Sequence, residues 1–595
     1  MKQFSYFKKL INLTGYNRIY IVIILSILSS LSEGAGIFLF IPLLQIIIDG
    51  ADVENESLYG KLTLVFSFFN IQVNLISVLL LMMIFFSVKG ILSYATKYYM
   101  YLYRAYLINR LRLDLLNSFK KISLSYFLEN DIGFYLNLID EQSNRYIQSV
   151  HSFFHVIVSG STAIIFFFFA ILYHGLASLI ILLILLPIIF VYKFLNKLIL
   201  EKSEAFSYAS SSLTTSVIEL LKGYKYFKVT NSFGSVERQI NSNLDKLKRS
   251  QISIGKLISI IDAMREPIII FFLLIVVIYN HMYIGNSFAS ILVLIILLQR
   301  LLNSIMSIQS NWASSFEYAG SIDFINKIDK NMSMKFERIG NHPIPSEIKS
   351  LEFKKYNFKY PLSTNYTLKD ISMSLNKNKI TAILGHSGAG KSTLLDSISL
   401  INDSKNSFFY INDITGKDIN VLDYRKLIGY VPQNGTILNT SIKYNLTLWN
   451  DIYSDKQILD IINSIGLNTL VETLPNGIYT KIGKDGVQLS GGQYQKILIA
   501  RELIKKPLVL ILDEPTSSLD MKSENEVIDI IKNINYGCFI IFTTHKANLL
   551  SLADNIFCIE NGYVIEQGSF DDLRNNPNSF LNKLFLDESL NEDYQ

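Results

Sequence analysis

Long apolar runs fill the first half of the chain, and none of comparable length follows residue 302. Residues 19–48 form the first, interrupted by Glu33, Gly34 and Gly36, with Pro42 near its end. Residues 75–95 form the second, with Lys89 inside it. The third and fourth, 153–173 and 176–192, are separated only by His174 and Gly175, a break short enough for a tight hairpin. The fifth and sixth, 258–279 and 288–302, are joined by the uncharged turn 280–286. A helix needs about 20 apolar residues to cross a bilayer, so the pattern predicts an α-helical, six-span membrane domain. The polar, basic start followed by a run as long as 19–48 predicts a first spanning helix rather than a cleaved signal peptide.

Two long polar stretches, 97–150 and 193–256, separate these pairs of runs. Their apolar residues recur at helical spacing, which argues for helices that project beyond the bilayer rather than for disordered loops. The turns that would carry them toward a soluble domain are 122–131, from Ile122 to Asp131, and 216–228, from Ser216 to Lys228. Both stretches are rich in Lys and Arg, whereas the loop 49–69 is acidic. The bias places both termini and the long stretches in the cytoplasm and the acidic loop outside. Charges inside the spans are costly unless they face the bundle or a cavity. Glu33 and Lys89 are therefore either structural partners or substrate contacts. Asp262, Arg265 and Glu266, just before Pro267, form either an internal ion cluster or an interface marker.

After a junction at 329–347 containing Gly340, Pro343 and Pro345, the pattern changes to short strands alternating with helices. Strands are predicted at 351–359, 368–375, 379–384, 428–432, 508–512 and 538–543, and helices from 394, over 454–467 and from 491 to 505. This alternation predicts an α/β domain. The domains are expected at 1–330 (membrane), 331–348 (linker), 349–580 (α/β) and 581–595 (tail).

Composition agrees with a membrane part joined to a large soluble part. Of the 595 residues, 50% are hydrophobic and only 18% charged. The net charge of +5 is modest and no basic tail or zinc-like cluster occurs, so nucleic acid is not an expected partner. Cys538 and Cys558 lie in strand-like apolar runs and are expected to be buried free thiols.

The clearest chemistry lies between the strand 379–384 and the helix from 394. Gly385, Ser387, Gly388, Gly390, Lys391, Ser392 and Thr393 complete a phosphate-binding loop. Its backbone N–H groups face one anion, Lys391 reaches the β- and γ-phosphates, and Ser392 offers a hydroxyl to Mg²⁺. Tyr360, ahead of that loop, is placed either to stack on adenine or to fill a turn. Gln433 ends a strand and is suited to sense Mg²⁺ or water. Ser490, Gly491, Gly492 and Gln493 open a helix whose N–H groups suit a second set of phosphate oxygens. Asp513 and Glu514 end the wholly apolar strand, where ligands gather in open α/β sheets. Asp513 suits the Mg²⁺ shell, and Glu514 suits proton acceptance from water. Asp520 follows in a turn, and His545 beyond the next strand suits a hydrogen bond to the γ-phosphate.

As an ordered set over more than 180 residues, these elements resemble the ATPase domain of an ABC transporter. The six spans before them resemble the membrane domain of an ABC exporter half-transporter. The resemblance implies ATP and Mg²⁺, and two ATPase domains meeting head to tail. Each ATP would lie between the phosphate loop of one copy and Ser490, Gly491 and Gly492 of the other. It implies adenine stacking for Tyr360, catalytic roles for Gln433, Glu514 and His545, and coupling roles for the two turns, the second reaching the partner's ATPase domain. A homodimer is expected, because no motif is degenerate and no second set follows. No peptidase domain fits before residue 19. The family's cross-contact segment carries a Gly-Glu pair, whereas here Lys484 and Asp485 follow Gly483.

Ser32, Glu33 and Gly34 followed by Pro42, and the basic-aromatic stretch 222–228, look similar to flippases of lipid-linked oligosaccharides. The expectation is therefore a multi-pass exporter of the bacterial cytoplasmic membrane, surrounded by membrane lipids and moving a lipid or other amphipathic substrate. The alternatives are an exporter of peptides or hydrophobic drugs, and an ATP-regulated channel or regulator.

Overall fold

The computed structural model describes residues 16–48, 74–283, 288–360, 363–402, 408–517, 519–534 and 536–584. The acidic loop 49–69 lies outside the described residues, as do most of the tail and part of the turn 280–286. The chain divides into two compact units. One comprises Met1–Lys121 and Glu129–Met334, and the other comprises Ile122–Leu128 and Lys335–Gln595.

The first unit is helical. Its first run is two helices, Tyr16–Phe38 and Phe40–Ile48. The break has a backbone cause: Pro42 has no N–H to offer the carbonyl four residues earlier, that of Phe38. Pro267 acts in the same way on Ala263, where the helix Phe233–Ala263 ends before Arg265–Tyr283 begins. Gly34 permits close packing of the first helix on the third run, since a Cβ there would lie 2.1 Å from the ring of Phe169.

The second run continues without interruption as the helix Leu75–Phe119, capped by Asn74. Its 45 residues extend for about 68 Å, more than twice the hydrocarbon thickness of about 30 Å. The helical segment Ser143–Lys222 has 80 residues and would reach about 120 Å if straight. It does not run straight. Residues just ahead of it bond residues in its last third: Asn137 Nδ2 donates to Ser210 Oγ at 3.1 Å, and Gln142 Nε2 to the Ser207 carbonyl at 3.4 Å. These pairings centre near residues 174–175, so the two arms lie side by side as the His174–Gly175 break predicts. The helix Phe288–Glu317 packs along this hairpin through a seam of small polar residues. Ser149 Oγ donates to the Ser315 carbonyl at 2.7 Å, and Arg145 Nη2 to the Glu317 carbonyl at 2.8 Å.

Among the described residues, four helices are long and apolar enough to cross a membrane. They are Asn17–Leu44, Leu75–Phe119, Ile132–Leu172 and Ile291–Glu317. The expected fourth span falls largely on 173–189, whose side chains lie outside the described residues. The expected fifth is divided at Met264 by the proline effect.

The second unit is α/β. A six-stranded sheet has the order β12-β11-β3-β10-β9-β6. Its strands are β3 (Ile380–Leu384), β6 (Ile428–Val431), β9 (Val509–Asp513), β10 (Phe539–Thr543), β11 (Asn555–Glu560) and β12 (Tyr563–Gly568). All neighbours pair in parallel except the edge strand β12. The strands β9 and β10 are buried throughout, as their unbroken apolar sequences require of strands covered on both faces. An antiparallel sheet β2-β1-β4-β5 lies at the start of the unit, with β1 at Ser350–Phe358, β2 at Leu368–Asn376, β4 at Phe409–Ile411 and β5 at Ile414–Thr415.

The junction expected at 331–348 is not a free connector. The helix Ala319–Met334 runs into it, and residues after Met334 pack on the α/β unit. His342 N donates to the Asp418 carbonyl at 2.7 Å, and Arg425 holds Glu337 through two guanidinium nitrogens.

Candidate nucleotide site

The parallel strands converge on one edge, and their C-terminal ends build the site. β3 feeds the phosphate loop, and the helix Lys391–Ile398 leaves it. Gly390 caps that helix in the left-handed region, with φ of 106°. A Cβ there would lie 2.9 Å from Leu368 Cδ2, so both conformation and space require glycine. Ser387 and Ser392 are exposed beside it. The stem of Lys391 is buried, and its Nζ donates to the carbonyls of Gly385 at 2.8 Å and His386 at 3.1 Å. The ammonium is thus held at the mouth of the loop.

The acidic pair stands opposite. Asp513 is the last residue of β9, and Glu514 follows with φ of 46°. Thr543, at the end of β10, serves both. Its hydroxyl donates to Asp513 Oδ1 at 2.7 Å and accepts the Glu514 N–H at 2.9 Å. Glu514 Oε1 lies 3.9 Å from Lys391 Nζ, and Glu514 Oε2 accepts from Gln433 Nε2 at 2.6 Å. The predicted residues Lys391, Gln433, Asp513 and Glu514 therefore meet. Asp396, one turn into the helix after the loop, has its carboxyl pushed up to about 6, first by burial and then by the charge of Asp513. Two carboxyls crowded with a hydroxyl and an amide form an all-oxygen donor set, which fits a hard divalent cation such as Mg²⁺. Asp513, Ser392 and Gln433 would hold it, and when bound it would supply charge neutralisation for phosphate oxygens.

Other predicted residues take definite places. Tyr360 OH lies 3.2 Å from Thr393 Oγ1 and its ring sits edge-on to Phe358, beside the loop. Half-buried His545 follows Thr544 beyond β10. Ser490 caps the helix Gly491–Leu503 in a reciprocal pair, accepting the Gln493 N–H while Gln493 Oε1 accepts its own. Among the described residues, no hydrogen bond or ion pair joins this Ser490–Gln493 cap to Lys391, Gln433 or Glu514. Asp520 caps Met521–Lys532, and a hydrogen bond from Ser523 holds its carboxyl below the usual range. Asp485, in the departure from the Gly-Glu pair, accepts from Asn439 Nδ2.

The five intramembrane charges separate into groups. Glu33 is buried and lies 3.5 Å from Lys89 and 3.3 Å from Arg300. Asp262 accepts from Ser310 at 2.9 Å, and Arg265 donates to Asn303 at 3.2 Å. These two therefore bind the helix Phe288–Glu317 instead of forming an ion cluster with Glu266. At the two predicted turns, Ile122 bridges Phe336 and Asp131 precedes the helix Ile132–Asn137. Buried Ser216 accepts from Asn243 Nδ2 at 3.1 Å, and Lys228 lies in the exposed helix Tyr224–Val229. Sequence reasoning missed Thr543, Asp396 and Arg300. Arg300 was visible as a charge near the end of an apolar run.

This fold and site define an ABC ATPase domain joined to a helical transmembrane region. Residues 368–517 match the ABC transporter family, and residues 19–308 match the ABC transporter transmembrane region. The chain thus carries an ABC transporter transmembrane region and an ABC transporter ATPase domain in one polypeptide. It is 41% identical over 234 residues to a "Putative export ATP-binding/permease protein" of Rickettsia typhi, covering 39% of this chain and 41% of that protein. The matched stretch thus spans about two-fifths of that relative's own length. The heterocyst differentiation ATP-binding protein of Nostoc sp. is 26% identical over 471 residues, covering 78% of this chain and 77% of that one. A bacterial Atm1-family ABC exporter with ATP bound shares the fold, with TM-score 0.80 and 18% identity over 96% of this chain and 99% of that one.

Proposed function

We propose that two copies of this chain form an ATP-driven exporter of the bacterial cytoplasmic membrane, with six spans per copy and both termini in the cytoplasm. The carrying observation is the meeting of Lys391, Gln433 and Glu514 at the ends of β3, β6 and β9, in a chain whose other unit has membrane-length helices. Lys391 binds the β- and γ-phosphates of ATP. Glu514, oriented by Thr543 and Gln433, accepts a proton from the attacking water. Lys391, His545 and the Ser490 hydroxyl of the partner subunit stabilise the charge that develops on the transferring phosphoryl group. The capped Ser490 helix end, which among the described residues makes no hydrogen bond or ion pair to Lys391, Gln433 or Glu514, supports this shared site. ATP binding closes the two ATPase domains and turns the membrane units outward, and loss of products resets them.

The coupling turns support the same reading. Ile122–Leu128 belongs to the compact α/β unit. The second turn exposes Tyr224, Tyr226 and Val229, apolar surface suited to the partner's ATPase domain.

The substrate is an amphipathic molecule, a lipid or lipid-linked oligosaccharide. The test is ATP-dependent movement of a fluorescent lipid-linked pyrophosphate oligosaccharide in vesicles containing the purified chain, with Glu514→Gln as control. Movement lost in the variant supports the proposal. ATP hydrolysis stimulated instead by peptides or hydrophobic drugs, with no lipid movement, replaces the substrate assignment. Ion conductance without substrate movement overturns the exporter reading.

A further inference from the structure

Three polar stripes converge inside the apolar helical unit. Ser26, Ser30 and Glu33 recur at positions i, i+4 and i+7 of the first helix. Lys89, Ser93 and Lys97 do so at i, i+4 and i+8 of the second, and His155 and Thr162 at i and i+7 of the third. Those spacings put each set on one helix face. All of these residues line one cavity of about 170 Å³.

The charges there do not balance. Glu33 is the only carboxylate among the described lining residues. Lys89 approaches one of its oxygens at 3.5 Å, and Arg300 approaches the other at 3.3 Å. Lys97 lines the same cavity and brings a third cation. A structural ion pair would need Glu33 and one partner. Three cations around one carboxylate leave a positive excess at this polar cavity, which a bound anion would offset. Three of the lining hydroxyls are already spent as donors. Ser30 Oγ donates to Thr162 Oγ1 at 2.9 Å, Thr162 Oγ1 to the Val158 carbonyl at 2.9 Å, and Ser26 Oγ to the Ile23 carbonyl at 2.9 Å. Their lone pairs remain open to a protonated oxygen, while the ammonium groups of Lys89 and Lys97 are the donors for an oxyanion. The volume accommodates a phosphate group with a few waters.

We propose that this cavity is a subsite for a phosphate-type oxyanion carried on an amphipathic molecule, with Lys97 and Lys89 as its ligands and Glu33 setting the position of Lys89. The assignment rests on the exporter reading and narrows its substrate class. The test titrates dodecyl phosphate into the full chain in dodecyl maltoside by calorimetry, without ATP. Saturable binding is expected, weakened about tenfold by Lys97→Gln and kept within about threefold by Lys97→Arg. Lys246→Gln, exposed on the helix Phe233–Ala263 and outside the cavity, should leave it unchanged. Dodecyltrimethylammonium should not compete. Weaker competition by inorganic phosphate than by dodecyl phosphate supports an amphiphile as the source, whereas equal competition overturns that part in favour of a soluble anion. Unchanged binding in Lys97→Gln, or equally tight binding of the ammonium amphiphile, overturns the subsite. Should Lys97→Gln not give a monodisperse protein, Lys89→Gln and the phosphate-against-ammonium comparison on the unaltered chain decide. ATP hydrolysis in the same preparation separates the two claims. Hydrolysis and vesicle transport without dodecyl phosphate binding sink the subsite alone, and absent hydrolysis sinks the exporter.

Discussion

Thr543→Val would remove one hydroxyl and keep the shape of the side chain. That hydroxyl gives Asp513 its hydrogen bond and takes the Glu514 N–H, and Thr543 is fully buried. A hydrogen bond to a charged group contributes about 1.5–3 kcal/mol, and an orphaned buried N–H costs about 1–3 kcal/mol. Together they amount to roughly 2.5–6 kcal/mol, acting on two adjacent residues. Glu514 already sits in the left-handed region at φ of 46°, so it has a ready route to relax away. A misplacement of about 1 Å at a reacting group costs on the order of a hundredfold in rate. The expected result is a kcat for ATP hydrolysis lowered about a hundredfold. KM for ATP should stay within about threefold, because Lys391 and its loop carbonyls are untouched. Thr543→Ser, which restores the hydroxyl, should recover kcat to within about threefold of the unaltered chain. Initial rates of phosphate release across an ATP titration measure both parameters. A folded Thr543→Val protein with kcat within about twofold of normal would refute the positioning argument.

Other consequences follow from the same geometry. The Asp396 carboxyl has a raised folded-state pKa, about 6 against 3.8, so the fold favours its neutral form. Its penalty is absent below the unfolded value, grows as pH rises from about 4 to 6, and persists above that. The rise corresponds to about 3 kcal/mol, reduced to about 1–2 kcal/mol because the carboxyl is partly open to solvent. Asp396→Asn should therefore raise the stability of the ATPase unit at pH 7.5 in about that amount and change nothing at about pH 4, read by urea unfolding without Mg²⁺; equal effects at both pH values would contradict the assignment. Gly390→Ala should abolish ATP binding in a fluorescent-nucleotide titration, because its φ of 106° and the nearby Leu368 side chain exclude a Cβ; unchanged affinity would contradict this. Arg425→Ala should destabilise the ATPase unit by about 2–4 kcal/mol, since it frees Glu337 and the carbonyls of Ser399 and Leu400 together; an unshifted Tm would count against that network.

Much of the nucleotide site was readable because it is local. The wholly apolar run before Asp513 is a buried parallel strand, and the Gly385–Lys391 spacing between strand and helix is the loop observed. The capping role of Ser490 and Gln493 is likewise written in adjacent residues. What escaped depends on partners distant in the chain. Thr543 looks like an ordinary strand end until β10 is laid beside β9. Arg300 looks like an interface cation until the hairpin geometry brings it to Glu33. The helical period could not show that Asp262 and Arg265 turn to Ser310 and Asn303 rather than to each other, because that choice is made by packing between helices. The His174–Gly175 break agrees with the Asn137–Ser210 and Gln142–Ser207 pairings, whose midpoints fall near residues 174–175.

Closure of two copies over shared ATP is the step on which the transport reading depends, and a cysteine pair tests it directly. Cys538 and Cys558 are buried, and burial pushes their thiols up to about 11 and 12, so both stay protonated and unreactive at pH 8. The measurement is disulfide formation between Ser387→Cys and Ser490→Cys in a Glu514→Gln chain, with a mild oxidant, read on a non-reducing gel. The account predicts a covalent dimer that forms with ATP and Mg²⁺ and not without them. A chain that hydrolyses ATP before Glu514 is changed, yet stays monomeric on that gel with ATP present, would contradict it.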